Sequence, residues 1–119
     1  MIRRATEPAQ KVMARAMLED DLAAAITQAA TYAGWRWHHI RRSDLGLQQG
    51  HSGFPDLVLA KAGRVLFLEL KREGQQPRPD QLAWADALNG VFGQLELPPA
   101  RVVTPADLGR LLAELTREL

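Results

Sequence analysis

Apolar and polar positions follow a helical period in the first third of this chain and a strand period near its middle. In residues 8–33 the apolar side chains recur at intervals of three and four, which is typical of one face of an amphipathic helix. This stripe consists of Leu18, Leu22, Ile26, Ala29 and Ala33. We therefore predict a first helix over residues 8–33, ended by Gly34.

Shorter apolar runs separated by turn residues predict the remaining elements. They are a strand over residues 35–42, a loop over 43–53, a hairpin of strands 56–60 and 64–70 closed at 61–63, a loop over 74–79, a helix over 81–89, a strand over 101–103 and a helix over 105–119. We expect Asp80 to cap the second helix and Gly90 to follow its end. Residues 91–97 fit neither period. The order α-β-β-β-α-β-α predicts an α/β fold.

The second strand of the hairpin changes character along one of its faces. Side chains alternate across a strand, so the leucines at positions 66, 68 and 70 share a wholly apolar face. The opposite face begins with Val65 and Phe67 and ends with Glu69 and Lys71. Open α/β sheets place their sites where a strand leaves the core, so this charged end is a candidate site.

Asp56, at the start of the preceding strand, adds a second carboxylate beside Glu69. Two carboxylates can hold a hard divalent cation through oxygen, and Lys71 lies on the same strand face as Glu69. A cation and an ammonium directed at one point suit phosphodiester cleavage. A lone Glu-x-Lys is more often a solvated ion pair at a strand end, but the apolar run and the Pro55-Asp56 turn upstream favour a site.

Composition narrows the class of protein. The chain has 119 residues, 46% of them hydrophobic and 24% charged, which predicts one ordered domain with a compact core. With no cysteine and three histidines, thiol and disulfide chemistry are excluded and a zinc site is disfavoured, so any metal would bind oxygen. We expect a cytoplasmic protein, since no apolar run approaches the length of a membrane span and no signal peptide is evident.

The basic residues indicate function less clearly than the carboxylates do. The net charge of +1 does not by itself indicate a nucleic-acid binder, but arginines flank the carboxylate segment, and their guanidinium fork suits phosphate oxygens. The candidates for contacts with a DNA backbone are Arg41, Arg42, His51, Arg72, Gln75, Gln76 and Arg78. For His51, a solvated loop histidine is the alternative.

The predicted first helix supplies a third carboxylate. At about 100° per residue, Glu19 lies at the margin of the apolar stripe, whereas Asp20 faces away and Asp21 falls beyond the opposite edge. Glu19 is therefore the one member of this acidic run that can lean toward the sheet. An ordinary solvated acidic cluster is the alternative interpretation.

Taken together, these segments resemble a PD-(D/E)xK nuclease, and specifically the VRR-NUC family. The matching segments are Glu19, Gly53-Phe54-Pro55-Asp56, Glu69-Leu70-Lys71 and Gln81-Leu82-Ala83-Trp84, spread over residues 18–108. The resemblance implies a restriction-endonuclease-like core with a mixed β-sheet flanked by helices. It also implies a single VRR-NUC-like domain over residues 1–119. From the sequence itself, residues 1–6 are expected to form a mobile arm. The longer chain over residues 91–99 departs from the family's simplest form.

The resemblance further implies roles for individual residues. The metal ligands would be Glu19, directly or through water, Asp56, Glu69 and the backbone carbonyl of Leu70. Lys71 would orient the attacking water and offset negative charge on the scissile phosphate, and the amide of Gln81 would order the site by bonding the water or Lys71. Mg²⁺ is the expected cofactor, with Mn²⁺ able to substitute, and the carboxylate count permits one ion or two.

The function expected from this resemblance is that of a Mg²⁺-dependent endodeoxyribonuclease. The chain is similar to stand-alone, phage-type members, which are expected to act as homodimers on branched DNA such as Holliday junctions, with no organic cofactor and no membrane partner. Two alternatives stay open: a nicking or flap nuclease with the same site, and a catalytically silent nucleic-acid-binding module. The intact set of carboxylates speaks against the silent module, because two desolvated carboxylates facing each other without a cation are costly.

Overall fold

The computed structural model describes residues 17–40, 49–93 and 98–117. In chain order, the elements in these ranges are α1 (Glu19–Tyr32), β1 (Arg36–His39), β2 (Leu57–Lys61), β3 (Arg64–Leu70), α2 (Pro79–Phe92), β4 (Ala100–Val103), a 3-10 turn (Pro105–Asp107) and α3 (Leu108–Thr116). The predicted order α-β-β-β-α-β-α is confirmed. No helix in the described ranges has the length and apolar character needed to cross a membrane.

The four strands form one mixed sheet in the order β1-β2-β3-β4. Strands β1, β2 and β3 are antiparallel neighbours, and β4 joins β3 in parallel. The β2–β3 hairpin pairs Lys61 with Arg64, so the turn consists of Ala62 and Gly63 alone, both with positive φ (50° and 79°), as in a type I′ turn. Because the hairpin is antiparallel, the start of β2 lies beside the end of β3.

The two faces of β3 contact different parts of the molecule. The leucines at positions 66, 68 and 70 are buried in the main hydrophobic core, together with residues of helices α1 and α3. Phe67 lies on the opposite face, where its ring centre is 5.5 Å from that of Phe92 in helix α2. This alternation confirms the face assignment made from the period of two. It also carries Glu69 and Lys71 away from the main core.

The prediction that the first helix begins near residue 8 is wrong, because α1 begins at Glu19. Leu18 has an extended backbone (φ −85°, ψ 163°), and its N–H donates to the carboxylate of Asp21 at 3.2 Å. An acidic side chain three residues into a helix that bonds the backbone before it marks a helix start. Residues 8–16 and the predicted arm at 1–6 lie outside the described residues.

The predicted cap of the second helix is also wrong. Helix α2 begins at Pro79, and its N-cap is Arg78, so Asp80 lies within the first turn. The backbone N–H of Arg78 donates to the side-chain oxygen of Gln81 at 2.8 Å, which closes the helix start. Proline is favoured at the first helical position because its fixed φ suits the helix and its missing N–H has no partner there in any case.

The prediction that the second helix ends at Asn89, with Gly90 following it, is wrong, because α2 continues to Phe92. The side chain of Asn89 exchanges two hydrogen bonds of 2.8 Å with the backbone of Ala100 in β4. These bonds hold the end of the helix against the sheet, and the tertiary contact overrides the weak helix propensity of glycine. Residues 94–97 lie outside the described residues.

The outer elements are shorter than predicted. Strand β1 covers only Arg36–His39, and residues 41–48, with Arg41 and Arg42, lie outside the described part of the chain. The final helical segment divides into the 3-10 turn and α3, which ends at Thr116 and is followed by an extended Arg117 (ψ 135°). Strand β4 agrees with the predicted strand to within one residue.

A buried ion-pair network joins α3 to the sheet near the first residue of β3. Glu114 of α3 accepts two hydrogen bonds from Arg101 (2.8 and 2.9 Å) and one from Arg64 (2.9 Å). Burial by itself raises the pKa of the Glu114 carboxyl, but the hydrogen bonds and charges of the two arginines outweigh it and hold that pKa below its ordinary value of 4.5. The network therefore stabilises the ionised carboxylate.

Candidate active site

The β2–β3 hairpin brings the two predicted carboxylates together. Asp56 directly precedes β2, and Glu69 is the sixth of the seven residues of β3. The N–H of Leu70 donates to Oδ2 of Asp56 at 2.9 Å, so Asp56 is fastened to the strand that carries Glu69. Lys71 follows on the same face, and the side chains of Glu69 and Lys71 are buried, at 7% and 8% exposure.

Gln81 reaches the same point from helix α2. Its Oε1 accepts the N–H of Arg78 at 2.8 Å, which fixes the orientation of the amide, and its Nε2 donates to Oε1 of Glu69 at 2.5 Å. Gln81 is buried. The amide partner in this structure is therefore Glu69, where the resemblance had implied Lys71 or a water, and one oxygen of the Glu69 carboxylate is held in place.

The other oxygen of that carboxylate, Oε2, is buried and has no hydrogen-bond partner. Burial is the largest cause that raises the pKa of Glu69, and the charge of the neighbouring Asp56 carboxyl, together with the hydrogen bond that a protonated Glu69 can make to it, raises the pKa further. The charges of Lys71 and Arg78 oppose this rise, but the net effect brings the pKa of Glu69 from 4.5 to about 8. Two carboxyl groups with too little neutralising charge thus lie side by side.

A cavity of about 550 Å³ opens over these groups. All the side chains predicted to act in catalysis line it, namely Glu19, Asp56, Glu69, Lys71 and Gln81. Leu70 takes part through its backbone N–H, while its side chain belongs to the main core. The resemblance in sequence and the folded geometry therefore select the same cavity.

The predicted DNA contacts divide into two groups. His51, Gln75 and Arg78 line the cavity, whereas Arg72 and Gln76 do not. Arg72 donates its backbone N–H to the side-chain oxygen of Gln75 at 3.1 Å, which orders the loop between β3 and α2. Arg41 and Arg42 cannot be assigned to either group, since they lie outside the described residues.

Comparison with solved structures places this arrangement in a known fold. The protein matches a solved chain described as "VRR_NUC domain", with a TM-score of 0.60 and 20% sequence identity, over 79% of this chain and 92% of that chain. This protein has the fold of a VRR_NUC domain. The restriction-endonuclease-like core expected from the sequence, a mixed sheet flanked by helices, is thereby confirmed. A scan against protein-family models and a search of curated proteins found no match.

Two carboxylates, not three, stand together in this VRR_NUC fold. In residues 17–40, 49–93 and 98–117, no group of three or more histidine, aspartate or glutamate side chains lies close enough together to hold a metal ion. Glu19 is exposed at the first residue of α1 and lines the cavity apart from Asp56 and Glu69. A cation with few protein ligands fits this set, because Mg²⁺ keeps several waters. The unpartnered Oε2 of Glu69 is the oxygen that such an ion would satisfy.

The contacts that hold the loop before β2 against helix α2 were not predicted from the sequence. Ser52 donates to Oδ2 of Asp80 at 2.8 Å, and the indole N–H of Trp84 donates to the carbonyl of His51 at 3.1 Å. Phe54 packs edge-on against Trp84, with ring centres 5.0 Å apart. The two hydrogen bonds join residues 28 and 33 positions apart, so no local spacing announces them. The one available signal was the Gly-Phe-Pro-Asp motif itself.

Proposed function

We propose that this protein is a metal-dependent DNA endonuclease of the VRR-NUC family. The observation that carries the proposal is Oε2 of Glu69, which is buried, has no hydrogen-bond partner and belongs to a carboxyl whose pKa is raised by burial and by Asp56. A buried polar atom without a partner costs free energy. A divalent cation between the two carboxylates would remove that cost. The VRR_NUC fold supports the same proposal.

The proposed metal ligands are Asp56, Glu69 and the backbone carbonyl of Leu70, with Glu19 completing the site through water. Mg²⁺ is the preferred ion because the ligand set is all oxygen, and Mn²⁺ should substitute for it. The ion would supply an activated water and neutralise charge on the scissile phosphate. Metal titration would distinguish one bound ion from two.

Lys71 and Gln81 are the protein's own contribution to the reaction. Lys71 lines the cavity from a buried position on the same strand face as Glu69, where its ammonium can stabilise negative charge on a phosphate oxygen. Gln81 holds Glu69 in place through its 2.5 Å hydrogen bond and leaves Oε2 available. The Gln81 side chain is therefore fixed before a substrate arrives.

Donors at the rim of the cavity suit a DNA backbone. The side chain of Arg78 is 61% exposed, and Nε pairs with Asp80 at 3.2 Å. His51 and Gln75 line the same rim. Contacts of this kind position a phosphate without reading sequence. We propose these three residues as phosphate contacts at the cavity. Arg72 and Gln76, away from the cavity lining, and Arg41 and Arg42, outside the described residues, stay predicted contacts.

Branched DNA, such as a Holliday junction, is the proposed substrate, and a homodimer is the proposed active form. A four-way junction is two-fold symmetric, so paired symmetric cuts need two sites related by a two-fold axis. A single site would cut one strand at a time. Nicking or flap cleavage is therefore the expected behaviour of a monomer.

Cleavage assays with labelled four-way junction, flap, single-stranded and linear duplex DNA test this proposal directly. We expect cutting in Mg²⁺ or Mn²⁺ and none in EDTA. Lys71→Ala should lower the rate at least about 100-fold, because it removes an electrostatic stabiliser of the transition state. Arg110→Ala is the matched control, since this arginine is 86% exposed, does not line the cavity and should leave the rate unchanged.

The substrate pattern decides the finer part of the proposal. Paired cuts confined to the junction, from a protein that sediments as a dimer, support the homodimeric resolvase. Cuts in one strand of a flap or duplex would replace it with a nicking or flap nuclease. A folded protein that binds DNA but cuts none of these substrates with either metal would contradict the nuclease and indicate a nucleic-acid-binding module.

A further inference from the structure

The proposed site is assembled from three separate pieces of chain. Asp56 is carried by the loop before β2, and Gln81 by the first turn of helix α2. Glu69 lies between them and contacts both. Carboxylates that hold a metal must be placed within a fraction of an ångström. Asp56 and Gln81 are each bonded to strand β3, and direct contacts between this loop and this helix constrain the same distance a second time.

Asp80 is the residue at which the loop and the helix are joined. Its Oδ2 accepts the hydroxyl of Ser52 at 2.8 Å, and its Oδ1 accepts the backbone N–H of Gln81 at 2.9 Å and Nε of Arg78 at 3.2 Å. The hydrogen bond from Ser52 is the largest cause that lowers the pKa of Asp80, followed among the lowering effects by Arg78. One carboxylate thus bonds the loop before Asp56 and the backbone of the residue that holds Glu69.

The loop approaches the helix backbone at the same place. Gly53 has a φ of +92°, and a Cβ added there would lie 2.6 Å from the carbonyl carbon of Asp80 and 2.8 Å from the backbone nitrogen of Gln81. Only glycine fits at that distance from the helix backbone and in that conformation. The Ser52–Asp80 hydrogen bond therefore joins two backbone segments that are already in close contact at Gly53.

We propose that Asp80 is a positioning residue of this site: through Ser52 it sets the place of Asp56 relative to Gln81 and Glu69. This inference rests on the proposed nuclease function for its purpose but not for its geometry. The sequence analysis and the family resemblance assigned Asp80 no role in the site. It acts through the loop, and it neither holds the metal nor touches the scissile phosphate.

The Leu70 amide reports the placement of Asp56, because it donates to Oδ2 of Asp56. In EDTA, Asp80→Ala should make this amide exchange its hydrogen about tenfold faster, while the amides of Leu66 and Leu68 in the same strand keep their rates. Asp80→Asn should restore the slow exchange, since the Ser52 hydroxyl can also accept a hydrogen bond from an amide. The double variant Ser52→Ala/Asp80→Ala should change the free energy of opening at Leu70 by less than the sum of the two single changes, because both substitutions remove the same hydrogen bond.

Asp107→Ala is the matched control. Asp107 also receives three hydrogen bonds at a helix start, from the N–H and hydroxyl of Thr104 and from Arg110, but it does not line the cavity. It should leave Leu70 exchange unchanged. An unchanged Leu70 rate in Asp80→Ala, or an equal rise in the Leu66 and Leu68 amides, would overturn the proposal.

A second readout separates this proposal from the nuclease proposal. If the protein cleaves DNA, Asp80→Ala should raise the Mg²⁺ concentration for half-maximal cleavage about tenfold, and Asp80→Asn should not. If no variant cleaves but Leu70 exchange responds as expected, the positioning role stands and the nuclease function fails. If cleavage and its Mg²⁺ dependence are the same in wild type and Asp80→Ala, the positioning role fails and the nuclease stands.

Discussion

Glu69 and Glu114 are buried to the same degree near opposite ends of strand β3, with 7% and 8% of their surfaces exposed. Glu114, which contacts the first residue of the strand, receives three hydrogen bonds from two arginines. Glu69, near the last residue, receives one hydrogen bond from Gln81 on Oε1 and none on Oε2. The pKa of Glu114 is accordingly lowered, and that of Glu69 is raised to about 8.

This difference separates a carboxylate that stabilises the fold from one that does not. A buried carboxylate with charged partners on both oxygens is satisfied by the protein alone. A buried carboxylate beside another carboxylate is satisfied only when a proton or a cation neutralises charge on the pair. Burial alone therefore does not distinguish the roles of these two glutamates, whereas their hydrogen-bond and charge partners do.

Glu69→Gln should have the largest effect on activity. The substitution keeps the acceptor for Gln81 but removes the charge that would hold a metal ion, so cleavage should fall at least about 1,000-fold, equivalent to about 4 kcal/mol. In EDTA at pH 8 the variant should be at least as stable as wild type toward urea. Added Mg²⁺ should raise the stability of wild type and not of the variant.

Asp86→Asn is the control for that experiment, because it neutralises an exposed carboxylate on helix α2 that does not line the cavity. It should cleave at the wild-type rate and respond normally to Mg²⁺. Glu69 would join Glu114 as a structural carboxylate if Glu69→Gln were destabilised in EDTA and still cleaved DNA.

Glu114→Gln should have the largest effect on stability. It leaves Arg64 and Arg101 without their charged partner, and breaking a buried pair from one side costs about 3 kcal/mol. Urea unfolding at pH 7 should show this loss, while the cleavage rate per folded molecule should stay unchanged. Arg110→Ala, which breaks an exposed pair with Asp107, should cost less than about 0.5 kcal/mol. Equal losses in the two variants would contradict the distinction.

The sequence predicted the face of Glu69 and Lys71 because strand geometry is local. Alternation by two fixes which side chains share a face once the strand is assigned, and antiparallel pairing then brings Asp56 beside Glu69. The helix boundaries failed where contacts from elsewhere decide them. Asn89 holds α2 against β4 and carries the helix past Gly90, and no periodicity contains that contact.

The hydrogen-bond partners of the two buried glutamates likewise could not be predicted from the sequence. Nothing in the spacing distinguishes Glu114 from Glu69, since the arginines of Glu114 come from β3 and β4, 50 and 13 residues away. Ser52 and Asp80 were missed for the same reason, being 28 residues apart. Gln81 was found only through the resemblance to VRR-NUC nucleases, because a glutamine in a first helical turn is ordinary by itself.

The pH dependence of the free energy of unfolding should also differ between Glu69 and Glu114, and this is the smallest of the expected effects. In EDTA, the folded protein holds a proton on Glu69 between pH 4.5 and about 8 that the unfolded chain has released, so the free energy of unfolding should fall as the pH rises through this window. We expect a loss of about 2 kcal/mol in wild type, limited because the cavity is open to solvent, and none from this source in Glu69→Gln.

Glu114 should act in the opposite direction and in a different window. Its pKa is lowered in the folded protein, so its stabilisation is present above pH 4.5 and is lost as the pH falls through the folded value. Urea unfolding from pH 3 to pH 9 should therefore show Glu114→Gln differing from wild type least at the acid end, and Glu69→Gln differing most at the alkaline end. Saturating Mg²⁺ should remove the alkaline loss in wild type, because the ion favours the ionised carboxylate, and leave the acid loss in place. Parallel curves for wild type and Glu69→Gln between pH 5 and pH 8 would mean that Glu69 is satisfied without a cation.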